Sequence, residues 1–334
     1  MSVRTQESAL RIALVFPGQG AQHPRMAAGL YGHEAVFTAA MDEALELLGA
    51  DGERIRSAWL ARTTTADFDD VTVSQPLLYA VDHALGRMVL DWGVEPVALM
   101  GHSVGELVAA TLAGVVGFAD GIRLMRARIR QFAQTPAGGM LAVAAGLGEV
   151  EDLLTGQVHL AAVNARRQLL LAGEREPLDR AAQALRERGI VCRDARARQA
   201  FHSPVVDEAV EASMPDWLAT PLNRPRRTVY SAYTQGVLTD DTALDHRFWA
   251  RQAAETVHFA PTLDRLLADH DCLLVEAGPG NSLSTVARRH PAVVRGGSEV
   301  APLLPDGAQD DVRDRRSVAA AKERILPLQQ PVRA

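Results

Sequence analysis

The chain has 334 residues, room for one large domain and a smaller one, since domains run to roughly 100–200 residues. Its formal net charge of −6 argues against a nucleic-acid binder, which needs a basic face to neutralise phosphates. Two distant cysteines, Cys192 and Cys272, argue against a disulfide scaffold and a clustered zinc site. Residues 1–7 are polar and lack the apolar core of a signal peptide. No apolar run reaches the ~18 residues of a membrane span, so a cytoplasmic protein without membrane association is expected.

Residues 10–16 (LRIALVF) predict a short buried strand, stopped by a Pro-Gly-Gln-Gly turn. Apolar residues at helical spacing predict helices over 26–48 and 74–90. Residues 96–100 (PVALM) form a second short strand that runs into Gly101-His102-Ser103-Val104-Gly105, and 106–115 is helical. Between 138 and 199 the predicted order becomes β-α-β-β-α-β, the split ferredoxin-like pattern of an inserted small domain. Strands return at 228–233 and 272–278, with a long helical pattern over 245–268. No internal repeat is visible.

The expected fold is therefore α/β: a large hydrolase-like domain with a short parallel sheet, plus an inserted ferredoxin-like small domain. The large domain takes 8–137 and 200–300, the small one 138–199. Residues 301–334, rich in Pro, Asp and Arg toward their start, predict a linker-like tail.

Strand, Gly-x-Ser-x-Gly, helix is the setting of a nucleophile elbow. A serine hydroxyl is a poor nucleophile until a base takes its proton, and a tight turn lifts its Oγ clear of the sheet. The same turn aims backbone N–H groups toward a developing oxyanion, and flanking glycines let neighbouring chain approach. By itself the motif also fits an ordinary turn, as does the PGQG of 17–20. His102 is expected to shape the elbow, and the histidines other than His202 show no ligand spacing.

Taken together, FPGQGAQ (16–22), SQPLLYA (74–80), GHSVGE (101–106), MRARIRQ (125–131), GGMLAV (138–143), AFHSPVVDEA (200–209), FWARQAAETVHF (248–259) and EAGPGNSLS (276–284) carry a specific resemblance. In sequence and order they resemble the malonyl-CoA:acyl carrier protein transacylase family, which includes the acyltransferase domains of modular polyketide synthases. The resemblance spans roughly residues 10–300. It implies Ser103 as the acylated nucleophile and His202 as general base and acid, an imidazole being suited to both tasks. The backbone N–H groups of Gln19 and Val104 would form the oxyanion hole, and the Gln252 carbonyl would orient the histidine. Arg128 matches the arginine that pairs with the free malonyl carboxylate through two parallel hydrogen bonds. A small slip in register would hand that role to Arg126.

Within the family, His-Ala-Phe-His accompanies malonyl and Tyr-Ala-Ser-His methylmalonyl; this chain has Gln199-Ala200-Phe201-His202. Phe201 fits malonyl, its ring filling the space of an α-methyl, whereas Gln199 departs from the pattern at a substrate-binding position. Val104 after the serine also fits malonyl. Residues 164–173 (NARRQLLLAG) depart as well, and Arg166 and Arg167 are open to two readings: an exposed turn, or contact with an acidic carrier protein or CoA phosphates.

The implied activity is ping-pong transfer of malonyl from CoA to the phosphopantetheine thiol of an acyl carrier protein, with no resident cofactor or metal. The initial methionine and the sequence RRSVAAAKERILPLQQ (315–330) suggest a discrete, trans-acting enzyme of polyketide assembly. Alternatives are an editing hydrolase, a carrier-to-carrier transferase for another acyl group, and a non-catalytic docking protein.

Overall fold

A computed structural model describes residues 10–63, 68, 70–132, 134–195, 197–307 and 310–329. Among these residues, ten strands lie in two sheets. In chain order they are β1 (Arg11–Phe16), β2 (Ala98–Gly101), β3 (Gly138–Val143), β4 (Val158–Ala165), β5 (Gln168–Glu174), β6 (Cys192–Asp194), β7 (Val229–Ser231), β8 (Gly236–Val237), β9 (Cys272–Glu276) and β10 (Glu299–Pro302).

The larger sheet has the order β10-β9-β1-β2-β7-β8. Every pair is parallel except the β7–β8 ribbon at the edge. Parallel strands are covered on both faces, which explains the unbroken apolar runs of β1 and β9. Ile12, Leu14 and Phe16 enter one hydrophobic cluster, and Ala13 and Val15 enter another on the opposite face. Because β1 and β2 are neighbours in register, the loops leaving their C-terminal ends emerge side by side. Ligands of open α/β sheets gather at that edge.

The second sheet has the order β4-β5-β3-β6, antiparallel throughout. This is the ferredoxin-like arrangement. The helix Arg175–Glu187 packs Leu178, Ala181, Ala182 and Leu185 against it. The first crossover, predicted as a helix, consists of two 3-10 turns, Leu147–Glu149 and Glu151–Leu153.

Two expectations need correction. The described part of 301–334 is no linker: β10 extends the sheet, and the helix Asp311–Ile325 buries Val318, Ala321 and Ile325. Asp314 of that helix accepts the Gly29 N–H at 3.0 Å, and Lys322 stacks over Trp92 at 5.0 Å. The long helical pattern over 245–268 is two helices, His246–Arg251 and Phe259–Asp269, with an irregular stretch between them. No described helix is long and apolar enough to cross a membrane.

Candidate active site

The elbow is dictated by close approach. A Cβ on Gly105 would lie 2.2 Å from the Phe16 carbonyl oxygen, and one on Gly101 would lie 2.1 Å from the Glu106 nitrogen. A Cβ on Gly18 would meet the His102 carbonyl oxygen at 2.5 Å and Ser103 Cβ at 3.2 Å. Three glycines of the two motifs thus press the 16–22 loop onto the serine turn. The His102 N–H donates to the Phe16 carbonyl at 2.9 Å, closing the turn onto β1. Ser103 sits at φ 55° and ψ −119°, a conformation that side chains rarely adopt and that clusters at functional sites. Val104 opens the helix Val104–Leu112, whose first N–H groups have no acceptor within the helix.

His202 comes to Ser103 from 99 residues further along: Oγ and Nε2 are 2.8 Å apart. His202 also has positive φ, 61°, and its backbone N–H donates to the Ala253 carbonyl. Its Nδ1 lies 3.0 Å from the carbonyls of both Gln252 and Glu255. Carbonyls only accept, so Nδ1 carries the proton and Nε2 presents its lone pair to the serine. The break between the two helices of 246–269 supplies these carbonyls. A continuous helix would have consumed them in its own hydrogen bonds.

Burial, together with the charges of His102 and Arg128, pushes the His202 imidazole down to about 3. It is therefore neutral and ready to accept a proton across the ordinary pH range. The sign is testable: a depressed imidazole loses its basic form only when pH falls toward the lowered value. Labelling of Ser103 by a fluorophosphonate is expected to change less than about twofold between about pH 7.5 and pH 5.5. A fall centred near the ordinary imidazole value contradicts the burial argument.

Arg128 lies on the inward side of the helix Phe118–Phe132. Its guanidinium is 5.2 Å from the Phe132 ring centre and 6.0 Å from that of Phe201. Its Nε is buried without a hydrogen-bond partner, and no carboxylate forms an ion pair with it among the described residues. Burial lowers its pKa. The alternative Arg126 is exposed, as is Arg130, and Arg123 pairs with Asp120 and Asp216. The helix thus turns one arginine of the four toward the histidine.

The cleft over the serine, about 50 Å³, is lined by residues that include Gln19, Gln75, His102, Ser103, Phe201 and His202. Phe201 is 4% exposed, and its ring packs at 5.0 Å against Phe132. Gln199 is not among the lining residues; its side-chain carbonyl is buried without a partner. His102 is held by Asn164 of β4, Nε2 to Oδ1 at 2.8 Å, which ties the small domain to the elbow. At the β4–β5 turn Arg167 is paired with Glu149, leaving Arg166 exposed.

Three residues of the site were not singled out in the sequence. Gln75 donates to the Gln19 side chain at 2.9 Å. Glu255 adds the second carbonyl for His202. Glu106, one turn beyond the serine and fully buried, accepts from Ser231 Oγ (2.5 Å), the Ala232 N–H (2.7 Å) and Gln252 Nε2 (3.1 Å). Burial pushes its carboxyl up to about 8 against those hydrogen bonds. For Glu106 the GHSVGE motif was the available signal. Gln75 lies in SQPLLYA and Glu255 in FWARQAAETVHF, but the role of neither shows until distant segments meet.

The family described as acyl transferase domain matches residues 13–321. A phenolphthiocerol/phthiocerol polyketide synthase protein of Mycobacterium tuberculosis (strain CDC 1551 / Oshkosh) is 37% identical over 282 residues, 84% of this chain. The chain spans only 19% of that relative's length. Among solved structures, the acyltransferase domain from the second module of the salinomycin polyketide synthase is 32% identical, with a TM-score of 0.84 over 94% of this chain and 72% of that one. The acyl transferase domain of SpnD, in complex with 2-(pent-4-yn-1-yl)malonyl, is 30% identical, with a TM-score of 0.88 over 96% and 77%. With a serine elbow against a neutral histidine, and these similarities along nearly its whole length, the chain belongs to the acyl transferase domain family and is an acyltransferase.

Proposed function

We propose that the protein transfers malonyl from CoA to the phosphopantetheine thiol of an acyl carrier protein, in polyketide assembly. The observation that carries this reading is Arg128, a half-buried cation whose enclosed Nε has no hydrogen-bond partner and which has no carboxylate partner among the described residues, close enough to His202 to depress it. An uncompensated buried charge is costly, and a ligand carboxylate relieves that cost. A neutral acyl group offers no such relief, which disfavours the editing hydrolase and a transferase for uncharged acyl chains.

In the proposed reaction Ser103 Oγ attacks the thioester carbonyl while its proton passes to His202 Nε2. The backbone N–H groups of Gln19 and Val104 receive the developing oxyanion. Collapse breaks the C–S bond, and the CoA thiolate takes the proton from the imidazolium. The carrier thiol then attacks the acyl-serine by the reverse sequence, giving its proton to His202 and restoring the serine hydroxyl. With the malonyl carboxylate on Arg128, one of the charges that depress His202 is neutralised. The base therefore strengthens when the right donor is bound. CoA and the carrier's pantetheine arm act as substrates here, and the chemistry asks for no resident cofactor.

Phe201 is the proposed reader of the α-carbon. Single-turnover loading should favour malonyl-CoA over methylmalonyl-CoA by about 10–200-fold, the discrimination one methyl group gives in an apolar pocket. Phe201→Ser should narrow that ratio by raising methylmalonyl loading. Equal loading of both donors by the unaltered protein contradicts the malonyl assignment.

A further inference from the structure

A second cavity, of about 550 Å³, lies at the far end of the helix Val104–Leu112. That helix starts at the acyl cleft, with Ser103 just before it, and ends at this cavity, which Leu112 and Gly114 line. At 1.5 Å per residue, roughly 13 Å of helix separates the two. The loop before β7 contributes Arg226 and Arg227. Since β7 runs parallel to β2, whose C-terminal end leads to Ser103, the start of β7 lies at the other edge of the sheet. The acyl cleft and this cavity share no lining residue.

The cavity is basic on a chain whose net charge is −6. Arg87, from the helix Val71–Asp91, joins Arg226 and Arg227 in its lining. Arg227 donates to the Leu112 carbonyl at 3.1 Å and so caps the end of that helix, but its Nε is enclosed without a partner. Arg226 lies against Gly114, which holds φ 83°; a Cβ there would meet the Arg226 Nε at 2.9 Å. Arg87 is exposed, and Asp91 stands four residues on, a spacing that pairs opposite charges on a helix. The two do not pair, and none of the three arginines forms an ion pair among the described residues. Capping a helix end explains one bond of one arginine. It does not explain three arginines around one cavity with a single carboxylate, Asp91, among them.

Two further features favour an anion. The helix Phe118–Phe132 begins at the cavity, so its first N–H groups bring the positive end of a dipole there. Asp120 in that first turn is held by Arg123. His83 also lines the cavity. It is 2% exposed, its ring stacks on Phe118 at 3.9 Å, and its Nδ1 has no hydrogen-bond partner. Burial, aided by the charge of Arg87, pushes the imidazole down to about 3, so the positive charge rests with the arginines.

We propose that this cavity is a second, non-catalytic binding site, which takes the diphosphate group of a small molecule on Arg87, Arg226 and Arg227. Three guanidiniums against one carboxylate leave two positive charges, a match for a multiply charged phosphoryl group rather than a lone carboxylate. The planar fork of arginine suits pairs of phosphate oxygens. The volume falls within the range of small-molecule clefts, about 300–1,000 Å³. Because the site stands at the other end of the sheet from Ser103, filling it leaves the serine as reactive as before.

Calorimetric titration of the full chain with inorganic pyrophosphate, at about 0.15 M salt, is expected to show one site with a Kd below about 1 mM. Arg87→Gln and Arg226→Gln alter exposed side chains and should each raise that Kd about tenfold, the effect of losing one charge-assisted hydrogen bond. Arg289→Gln removes the same charge from an exposed position outside the cavity and should leave the Kd within about twofold. Fluorophosphonate labelling of Ser103 should run at the same rate with and without saturating pyrophosphate, which separates this site from the acyl cleft. Titration with ADP distinguishes the sources of the group. Binding at least as tight as that of pyrophosphate assigns it to a nucleotide, and weaker binding assigns it to the free ion. No heat of binding at about 10 mM pyrophosphate, an equal loss in Arg289→Gln, or slowed labelling of Ser103 overturns the proposal. Hexaglutamate that binds where pyrophosphate does not also overturns it, and makes the cavity a docking face for an acidic protein segment.

Discussion

Replacing His202 by asparagine is expected to slow acylation of Ser103 by about a thousandfold or more, the scale of losing the only general base. Asparagine is the informative choice. His202 occupies φ 61°, and asparagine tolerates the left-handed region better than alanine or a branched residue. The backbone bond to the Ala253 carbonyl should survive, and with it the local fold. Gln252 and Glu255, whose carbonyls lose their partner, line an open groove, and the asparagine side-chain amide can donate in place of Nδ1. The expected result is a folded protein, melting within a few degrees of the original, whose serine is inert toward CoA thioesters. Loading that falls by less than about tenfold would show that another group takes the serine proton.

Arg128→Gln is expected to separate charge recognition from chemistry. Breaking the pair between a buried guanidinium and the bound carboxylate costs about 3–4 kcal/mol, so malonyl loading should fall by a few hundredfold. Acetyl loading makes no use of that pair and should be unchanged or rise, inverting the preference. The free protein should lose no stability. In the absence of substrate the wild-type arginine is a half-buried charge whose enclosed Nε has no partner, and glutamine removes its desolvation cost. A proportional loss of malonyl and acetyl loading would place Arg128 among the residues that merely support the helix Phe118–Phe132.

How much of this was legible in the sequence depends on whether a residue's role is set locally. The glycines around Ser103 were legible because backbone contacts of 2.1–2.5 Å forbid any side chain there. The buried strands β1, β2 and β9 were legible because parallel strands covered on both faces need continuous apolar runs. Of the four arginines on one helix the resemblance singled out Arg128, with Arg126 one slip of register away; packing turns Arg128 inward and leaves Arg126 in solvent. The helical pattern over 245–268 hid a break, since apolar periodicity continues across it. Distant partners hold the break open: the Gln252 and Glu255 carbonyls go to His202, the Ala253 carbonyl takes the His202 N–H, and Val257 pairs with Ala161 and Val163. The linker-like look of 301–334 was misleading for a related reason. Three well-spaced residues, Val318, Ala321 and Ile325, suffice to dock a polar helix once a carboxylate is set to catch the Gly29 N–H.

The central claim is that Ser103 carries a malonyl group as a covalent intermediate. It is tested most directly by intact-protein mass spectrometry after brief incubation with malonyl-, methylmalonyl- and acetyl-CoA, with the unaltered protein beside Ser103→Ala. The expected result is a single malonyl adduct on the unaltered protein, none on Ser103→Ala, and little occupancy from the other two donors. An acetyl or methylmalonyl adduct without a malonyl one, or a malonyl adduct that persists on Ser103→Ala, would contradict it.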